Sequence, residues 1–167
     1  ARRFAAELSR RQLVVTSGLA LGVDGAAHAG ALDAGFPTVA VIGCGLDQIY
    51  PRQHHKLGQR VIEQGVLVSE YPPGTPARAA HFPQRNRIIS GLSRGVLVVE
   101  AGLKSGSLIT ARLALEQGRE VFAIPGSVHS PVARGCHHLI KQGARLVETV
   151  DDVLEELSAW WSPQAGD

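Results

Sequence analysis

The chain has 167 residues, of which 44% are apolar and 19% charged, a balance that suits a folded protein and argues against disorder. Its formal net charge of +2 is nearly neutral, so a polyanion would have to bind at a local patch and not to a globally basic surface. The sequence has no apolar run of the roughly 18 residues that span a bilayer and no recognisable signal peptide. The two cysteines, Cys44 and Cys136, lack metal or disulfide spacing, and we expect a cytoplasmic protein with buried thiols.

Short β-branched runs alternate with helical patterns from one end of the chain to the other. The opening residues have helical spacing, with Phe4 and Leu8 on one face. The predicted strands cover residues 13–16, 38–42, 66–69, 96–100, 120–124 and 145–147. The predicted helices that follow them cover about 23–34, 53–64, 84–93, 107–117, 136–142 and 150–159.

The strands are almost continuous runs of Val, Ile and Leu, which is typical of a parallel sheet covered by helices on both faces. We therefore predict an α/β fold, Rossmann-like and doubly wound, with a mostly parallel sheet in three αβα layers. A single domain is expected over residues 1–160, followed by a tail or the start of a linker at 161–167. No strand precedes the opening helix and the chain contains no methionine, so we expect that an N-terminal strand and its phosphate-side loop are missing.

Ligands of such folds bind outside the carboxyl ends of the strands, where this chain carries many glycines and serines. One such loop is more often ordinary turn and capping chemistry, whereas several along one edge favour a phosphate-lined groove. The strand-end candidates are Ser17, Gly18, Gly43, Gly45, Glu100, Ser105, Gly106, Ser107 and Gly126. No dinucleotide fingerprint or P-loop is present, so no nucleotide cofactor is predicted.

The run from Phe82 to Arg87 is the most distinctive segment. Arg85 and Arg87 are two apart on a predicted helix and cannot both face the core. Guanidinium groups near a helix start suit phosphate, and Phe82 can stack on an unpaired base. An equally open alternative is that one arginine pairs with a strand-end acid, Glu70 or Glu100, while Phe82 lies in the core.

Other titratable groups give weaker signals. The histidine pairs at 54–55 and 137–138 are adjacent and would not face one site, so no metal centre is predicted. Asp24 and His28 are spaced i and i+4, which we interpret as a helix-stabilising contact and not as a catalytic pair. Glu100 has no second group of matched pKa beside it, so no catalytic residue is predicted.

With these residues assembled, the chain resembles the DprA (also called Smf) family of bacterial DNA-processing proteins. The matching segments cover about residues 13–150 in order: SGLA at 17–20, GVD at 22–24, AH at 27–28, AVIG at 40–43, GLD at 45–47, YP at 50–51, SEYP at 69–72, FP at 82–83, RNRIISGL at 85–92, VEA at 99–101, SGSLITA at 105–111 and AIPG at 123–126.

The resemblance implies a Rossmann-like protein of natural transformation that binds single-stranded DNA, forms a homodimer and loads the RecA recombinase on that DNA. It implies a binding protein and not an enzyme, with a role in competence and recombination and no cofactor. By resemblance, Arg85, Asn86 and Arg87 would contact phosphate and Phe82 would stack a base. Ser105, Gly106, Ser107 and Thr110 would line the same pocket.

The chain also departs from the family pattern. The family's Gly-Ser-Arg phosphate loop has no counterpart, Leu21 replaces a usual arginine, and residues 135–137 read Gly-Cys-His in place of the usual motif. One rival reading is a nucleotide phosphoribohydrolase of the lysine-decarboxylase-like group, whose Pro-Gly-Gly loop begins at Pro125 but then fails. A second is an assembly module built on Trp160 and Trp161, although a packed chain end explains that pair as well.

Overall fold

A computed structural model describes residues 1–158 of the chain. The chain folds into two compact units, Ala1–Ser93 (unit 1) and the part from Arg94 onward (unit 2). The predicted single domain over 1–160 stays a prediction, and the predicted tail at 161–167 with Trp160 and Trp161 lies outside the described residues. Within residues 1–158, no helix combines the length and the apolar character that crossing a membrane requires.

Unit 1 is a parallel α/β unit. In chain order it contains α1 (Arg2–Arg10), β1 (Val15–Ser17), α2 (Val23–Asp33), β2 (Thr38–Val41), a 3-10 turn (Arg52–His54), α3 (His55–Gln64), β3 (Val66–Val68) and α4 (His81–Leu92). The strands pair in the order β1-β2-β3, all parallel, with Thr16 opposite Val39 and Ala40 opposite Leu67. Its core cluster consists of Leu19, Leu32, Ala40, Ile42, Cys44 and Val61.

Unit 2 repeats this plan. It contains β4 (Gly95–Val98), α5 (Gly106–Glu116), β5 (Glu120–Ala123), a 3-10 turn (Pro131–Ala133), α6 (Arg134–Lys141), β6 (Arg145–Leu146) and α7 (Val150–Leu157). The strands are parallel in the order β4-β5-β6. Its core cluster is rich in alanine and consists of Val98, Ala101, Ala111, Ala114, Val121, Ala123, Cys136 and Leu139.

The predicted α/β class with parallel strands is confirmed. The largest boundary difference is at α4, which begins at His81, about three residues before its predicted start. Pro83 falls in the first turn, where a missing N–H has no helical acceptor in any case, so the proline does not delay the helix. The predicted end of the last helix at 159 lies beyond the described residues.

Candidate nucleic-acid interface

The turn between β1 and α2 is held by two histidines. Leu19 is fully buried and has φ 61°, a left-handed conformation that a branched side chain rarely adopts. Its N–H donates to His28 Nε2 over 3.3 Å, and its carbonyl accepts from His54 Nδ1 over 2.8 Å. Because both main-chain groups have side-chain partners, the strained turn is fixed in one conformation.

The same turn bonds to a carboxylate and a guanidinium. The N–H groups of Gly18 and Ala20 donate to Asp24 Oδ2 over 3.0 and 3.3 Å, and the Gly18 carbonyl accepts from Arg85 Nη1 over 2.7 Å. A Cβ on Gly18 would lie 2.6 Å from Arg85 Cζ, so this glycine makes room for the arginine. Both polar main-chain groups of Gly18 therefore have internal partners, and Ser17, which ends β1, is half-buried.

The hydrogen bonds of His28 fix its tautomer, and burial favours its neutral form. The Thr38 hydroxyl donates its single hydrogen to the Val15 carbonyl over 2.6 Å, so His28 Nδ1 must donate to Thr38 Oγ1 over 2.8 Å. Nε2 is then the acceptor for the Leu19 amide. Burial lowers the pKa of His28 from 6.5 to about 4, against the opposing charge of Asp24. Within the described residues, Asp24 hydrogen-bonds the turn between β1 and α2, whereas His28 hydrogen-bonds that turn and Thr38 of β2. The two side chains do not hydrogen-bond each other, so the predicted helix-stabilising contact is not formed as a hydrogen bond.

Arg85 points inward from α4. The residue is 6% exposed, and its Nη1 also donates to the Val41 carbonyl over 2.9 Å, while Nε donates to Asn86 Oδ1 over 2.9 Å. Burial lowers its pKa, and the nearby Asp24 carboxylate opposes that shift. The Arg85 guanidinium thus links α4 to main-chain carbonyls at the carboxyl ends of β1 and β2.

Arg87 faces the other way. Its side chain is 54% exposed and forms an ion pair with Glu70, which follows β3. The alternative in which one arginine pairs with a strand-end acid is therefore realised by Arg87 and Glu70. An exposed pair of this kind contributes little stability, so another anion can compete for the guanidinium at small cost.

Phe82 lies in the first turn of α4, at the carboxyl end of β2. Its half-buried ring is stacked with Tyr50, with centroids 5.8 Å apart and planes at 21°, and Arg85 Cζ lies 5.3 Å from the Phe82 centroid. A Cβ on Gly43 would lie 3.2 Å from Phe82 Cδ1, so the glycine lets the ring approach the strand end. The helix is fixed there by His81, whose Nδ1 donates to the Gly43 carbonyl over 2.9 Å.

Gly45 serves the packing of two loops. Its N–H donates to the Thr75 carbonyl over 2.9 Å, and a Cβ there would lie 2.7 Å from the Pro72 carbonyl oxygen. Asp47 Oδ1 accepts from the Gly74 N–H over 2.8 Å, which joins the same two loops. The loop after β2 is therefore held against the loop after β3.

In unit 2, the predicted serine and threonine residues surround the start of α5. Ser105 is the N-cap, and its Oγ accepts from the Ser107 N–H over 3.2 Å. Thr110 is buried and its hydroxyl donates to the Gly106 carbonyl over 3.3 Å. Gly106 and Glu100, which follows β4, are exposed. The helix start is the kind of backbone that binds anions.

The residues that depart from the family pattern have structural partners. The Gly135 N–H donates to the Ala101 carbonyl over 2.8 Å, and the Cys136 thiol donates to the Val98 carbonyl over 3.7 Å. The Gly126 N–H donates to His137 Nε2 over 3.1 Å, so this amide too has an internal acceptor. In residues 1–158 no three His, Cys, Asp or Glu side chains cluster in a way that could hold a metal ion.

Within unit 1 the structure brings together Gly18, Gly43, Phe82, Arg85 and Asn86. The loops after β1, β2 and β3 together with the first turn of α4 are called the strand-end surface below. Sequence reasoning missed the aromatic partners Tyr50, Tyr71 and His81 on this surface. The available signal was positional, since each lies in or next to a segment that follows a strand.

The family model of DNA recombination-mediator protein A matches residues 1–158. Protein Smf of Escherichia coli strain K12 is 54% identical over 167 residues, which cover 98% of this chain and 45% of that protein. The chain thus spans about half the length of the curated relatives it matches.

Two solved structures are similar. DNA processing protein A from Streptococcus pneumoniae matches with a TM-score of 0.87 and 51% identity, over 93% of this chain and 54% of that one. DNA processing protein A from Helicobacter pylori, solved to study its single-stranded DNA binding mode, matches with a TM-score of 0.86 and 32% identity, over 96% and 73%. These matches support the Rossmann-like assignment and confirm the resemblance seen in the sequence: the chain belongs to the DNA recombination-mediator protein A family, that of DprA and Smf.

Proposed function

We propose that this chain binds single-stranded DNA at the strand-end surface of unit 1 and serves DNA processing in natural transformation. The observation that carries the proposal is the half-buried Phe82 ring at the carboxyl end of β2, next to the Arg-Asn-Arg run of α4. An aromatic ring with neighbouring guanidinium groups is the combination by which proteins hold unpaired bases and their phosphates.

The relatives support this reading. The chain is similar to proteins named DNA processing protein DprA and to a Helicobacter pylori protein whose single-stranded DNA binding mode has been studied. From the family resemblance we further propose that the protein is a homodimer, that it delivers single-stranded DNA to RecA, and that it acts as a binding protein and not as an enzyme.

The proposed contacts divide by the direction of the side chains. Phe82 contributes to base stacking through a ring that also contacts Tyr50 and Arg85, and Asn86 and the exposed Arg87 contact backbone phosphate. Arg85 is engaged with main-chain carbonyls, a geometry that favours positioning over the phosphate contact predicted from sequence alone. In unit 1 the remaining proposed contacts are Ser17, Gly18, Gly43 and Gly45. For unit 2, taken by itself, the contacts predicted from the sequence stay proposals: Glu100, Ser105, Gly106, Ser107, Thr110 and Gly126.

A titration of single- and double-stranded oligonucleotides at several salt concentrations tests the proposal. Phe82→Ala is expected to lose about 1–3 kcal/mol with little change in the salt slope, because stacking releases no counterions. Arg87→Ala is expected to lower that slope by about one unit. Glu70→Gln removes the carboxylate that competes with phosphate for Arg87, so it should strengthen binding.

Arg3→Ala is the matched charge control. Arg3 lies on α1 next to Arg2, and the Arg2 carbonyl packs against Gly30 near the C-terminal end of α2. The strand-end surface, in contrast, lies at the N-terminal end of α2. This variant should bind DNA like the unsubstituted chain apart from a small general charge effect. Unchanged binding in both Phe82→Ala and Arg87→Ala would refute the site, and release of free base from a nucleotide would favour the phosphoribohydrolase.

A further inference from the structure

Tyr50 is an exposed aromatic residue on a loop whose neighbouring residues are packed against unit 1. The loop follows β2, and the residue is 47% exposed. On one side Ile49 packs against the core cluster of unit 1, and on the other Pro51 is buried. Gln48 ties the loop further by donating from Nε2 to the Thr75 carbonyl over 2.8 Å. The residues on both sides of Tyr50 are therefore held by the protein, while the Tyr50 side chain itself remains exposed.

One face of the Tyr50 ring is used internally. It stacks on Phe82 at 21° between planes, and Phe82 in turn contacts the Arg85 guanidinium at 5.3 Å. Among residues 1–158, Tyr50 makes no hydrogen bond and no second ring contact. The three side chains thus form a chain of contacts from the buried Arg85 through Phe82 to Tyr50, the most exposed of the three.

Tyr71, the second tyrosine of the chain, provides the contrast. Its ring is half-buried and stacks on His81 with centroids 4.0 Å apart, and its hydroxyl donates to Gln84 Oε1 over 2.8 Å. Burial, and then the neighbouring Glu70 carboxylate, raise the pKa of Tyr71. Both its ring and its hydroxyl are engaged within the protein, as expected of a structural tyrosine.

We propose that Tyr50 is a second base-stacking position, whose outer face receives an unpaired nucleobase and extends the stack that Phe82 and Arg85 begin. The inference rests on the proposed function and deepens it, since it assigns the outermost stacking contact to Tyr50. Every base has a π-face, so the position accepts any unpaired base, whereas in a duplex the base faces are covered by stacking neighbours.

The test measures binding of a labelled oligothymidylate to the full 167-residue chain by fluorescence anisotropy. Tyr50→Ala is expected to weaken binding about 5- to 150-fold, the range for loss of one base-stacking contact. Tyr50→Phe keeps the ring and should bind within about twofold of the unsubstituted chain. Ile62→Ala is the control: it shortens an exposed apolar side chain near the end of α3, just ahead of the start of β3 and away from the strand-end surface, and it should leave affinity unchanged.

A single abasic residue, moved along the oligonucleotide, identifies the stacked base. At one position it should weaken binding by the unsubstituted chain and by Tyr50→Phe, but not by Tyr50→Ala, because the contact is already lost. Tyr50→Leu keeps the apolar bulk without a flat ring and should behave like Tyr50→Ala. It also serves if Tyr50→Ala fails to fold, which circular dichroism would reveal.

The outcomes separate the inference from the proposed function. If the unsubstituted chain binds single-stranded DNA and Tyr50→Ala and Tyr50→Leu bind equally well, the stacking position is overturned while the proposed function stands. Equal losses in Tyr50→Ala and Tyr50→Phe would also overturn it, since the ring would then not be the binding element. Absence of binding by the unsubstituted chain would overturn the proposed function, and the inference with it.

Discussion

Arg85 and Arg87 lie in the same turn of α4 but have different surroundings, one buried and the other exposed. They are two residues apart on α4, so their side chains leave the helix in different directions. Arg85 is buried and donates from Nη1 to the Gly18 and Val41 carbonyls, whereas Arg87 remains exposed and pairs with Glu70. A buried charge needs such partners, and the carbonyls at the ends of two strands supply them.

Replacing Arg85 is therefore expected to act first on folding. Arg85→Ala leaves two carbonyls without their donor, which should lower the free energy of unfolding by on the order of 3 kcal/mol. Arg87→Ala, the control on the same helix, should change it by less than about 1 kcal/mol because its ion pair is exposed. Urea unfolding followed by circular dichroism measures both. Equal and small losses would show that the buried contacts of Arg85 add nothing to stability.

At the residue scale, sequence could identify the segment but not the direction of each side chain. The run from Phe82 to Arg87 was identified by residue type, and the opposed directions of its arginines follow from helix geometry. Which arginine turns inward depends on the carbonyls of Gly18 and Val41, which are distant in sequence. Tyr50 was missed as a stacking partner for the same reason, because its contact with Phe82 forms only in the folded chain.

Gly30 controls how closely α1 and α2 pack. A Cβ at Gly30 would lie 2.9 Å from the main-chain carbon of Arg2 and would also meet its carbonyl oxygen. Arg2 adds an ion pair to Asp33 at the end of α2. Since backbone cannot step aside as a flexible side chain can, the close packing of these two helices requires glycine at this position.

In Gly30→Ala, two effects on the free energy of unfolding have opposite signs: the higher helix propensity of alanine and the clash of its Cβ with the backbone of α1. Alanine in a helix interior is about 1 kcal/mol better than glycine. The clash with the backbone of α1 costs more, and we expect a net loss of about 1–3 kcal/mol in the free energy of unfolding. Gly102→Ala is the control, because the nearest heavy atom to its added Cβ is 3.9 Å away. A stabilised Gly30→Ala variant would mean that α1 can move off α2 without cost.

At the element scale, strand and helix types follow from periodicity while their ends do not. Short runs that contain Val predict all the strands described, because parallel strands covered by helices need no strict alternation, although β6 (Arg145–Leu146) is exposed. The predicted start of α4 at 84 is about three residues late, because the first turn of the helix includes Pro83 and tolerates it there. Ends depend on caps such as Ser105 and Thr149, whose hydrogen bonds form with the helix.

For the molecule as a whole, stability should depend on pH through His28. Burial holds its pKa at about 4, against 6.5 for an ordinary histidine. Between these values the unfolded chain binds a proton that the folded chain excludes, so the folded state is stabilised fully above about pH 6.5 and loses that contribution as pH falls towards 4. Salt bridges and amide hydrogen bonds lower the pKa of Asp33 and Asp152 below 3.8, so their contributions are lost at still lower pH.

The size of this effect is roughly 3 kcal/mol between pH 6.5 and pH 4, from the shift of about 2.5 pKa units. Urea unfolding at a series of pH values should show the free energy of unfolding fall through this window, and His28→Gln should flatten the fall. His55→Gln, an exposed histidine on α3, should leave the slope unchanged. Protonation also removes the acceptor for the Leu19 amide, whose hydrogen exchange should accelerate in the same pH range beyond the normal pH dependence of exchange. A slope that is identical in His28→Gln and the unsubstituted chain would mean that His28 can be protonated within the fold.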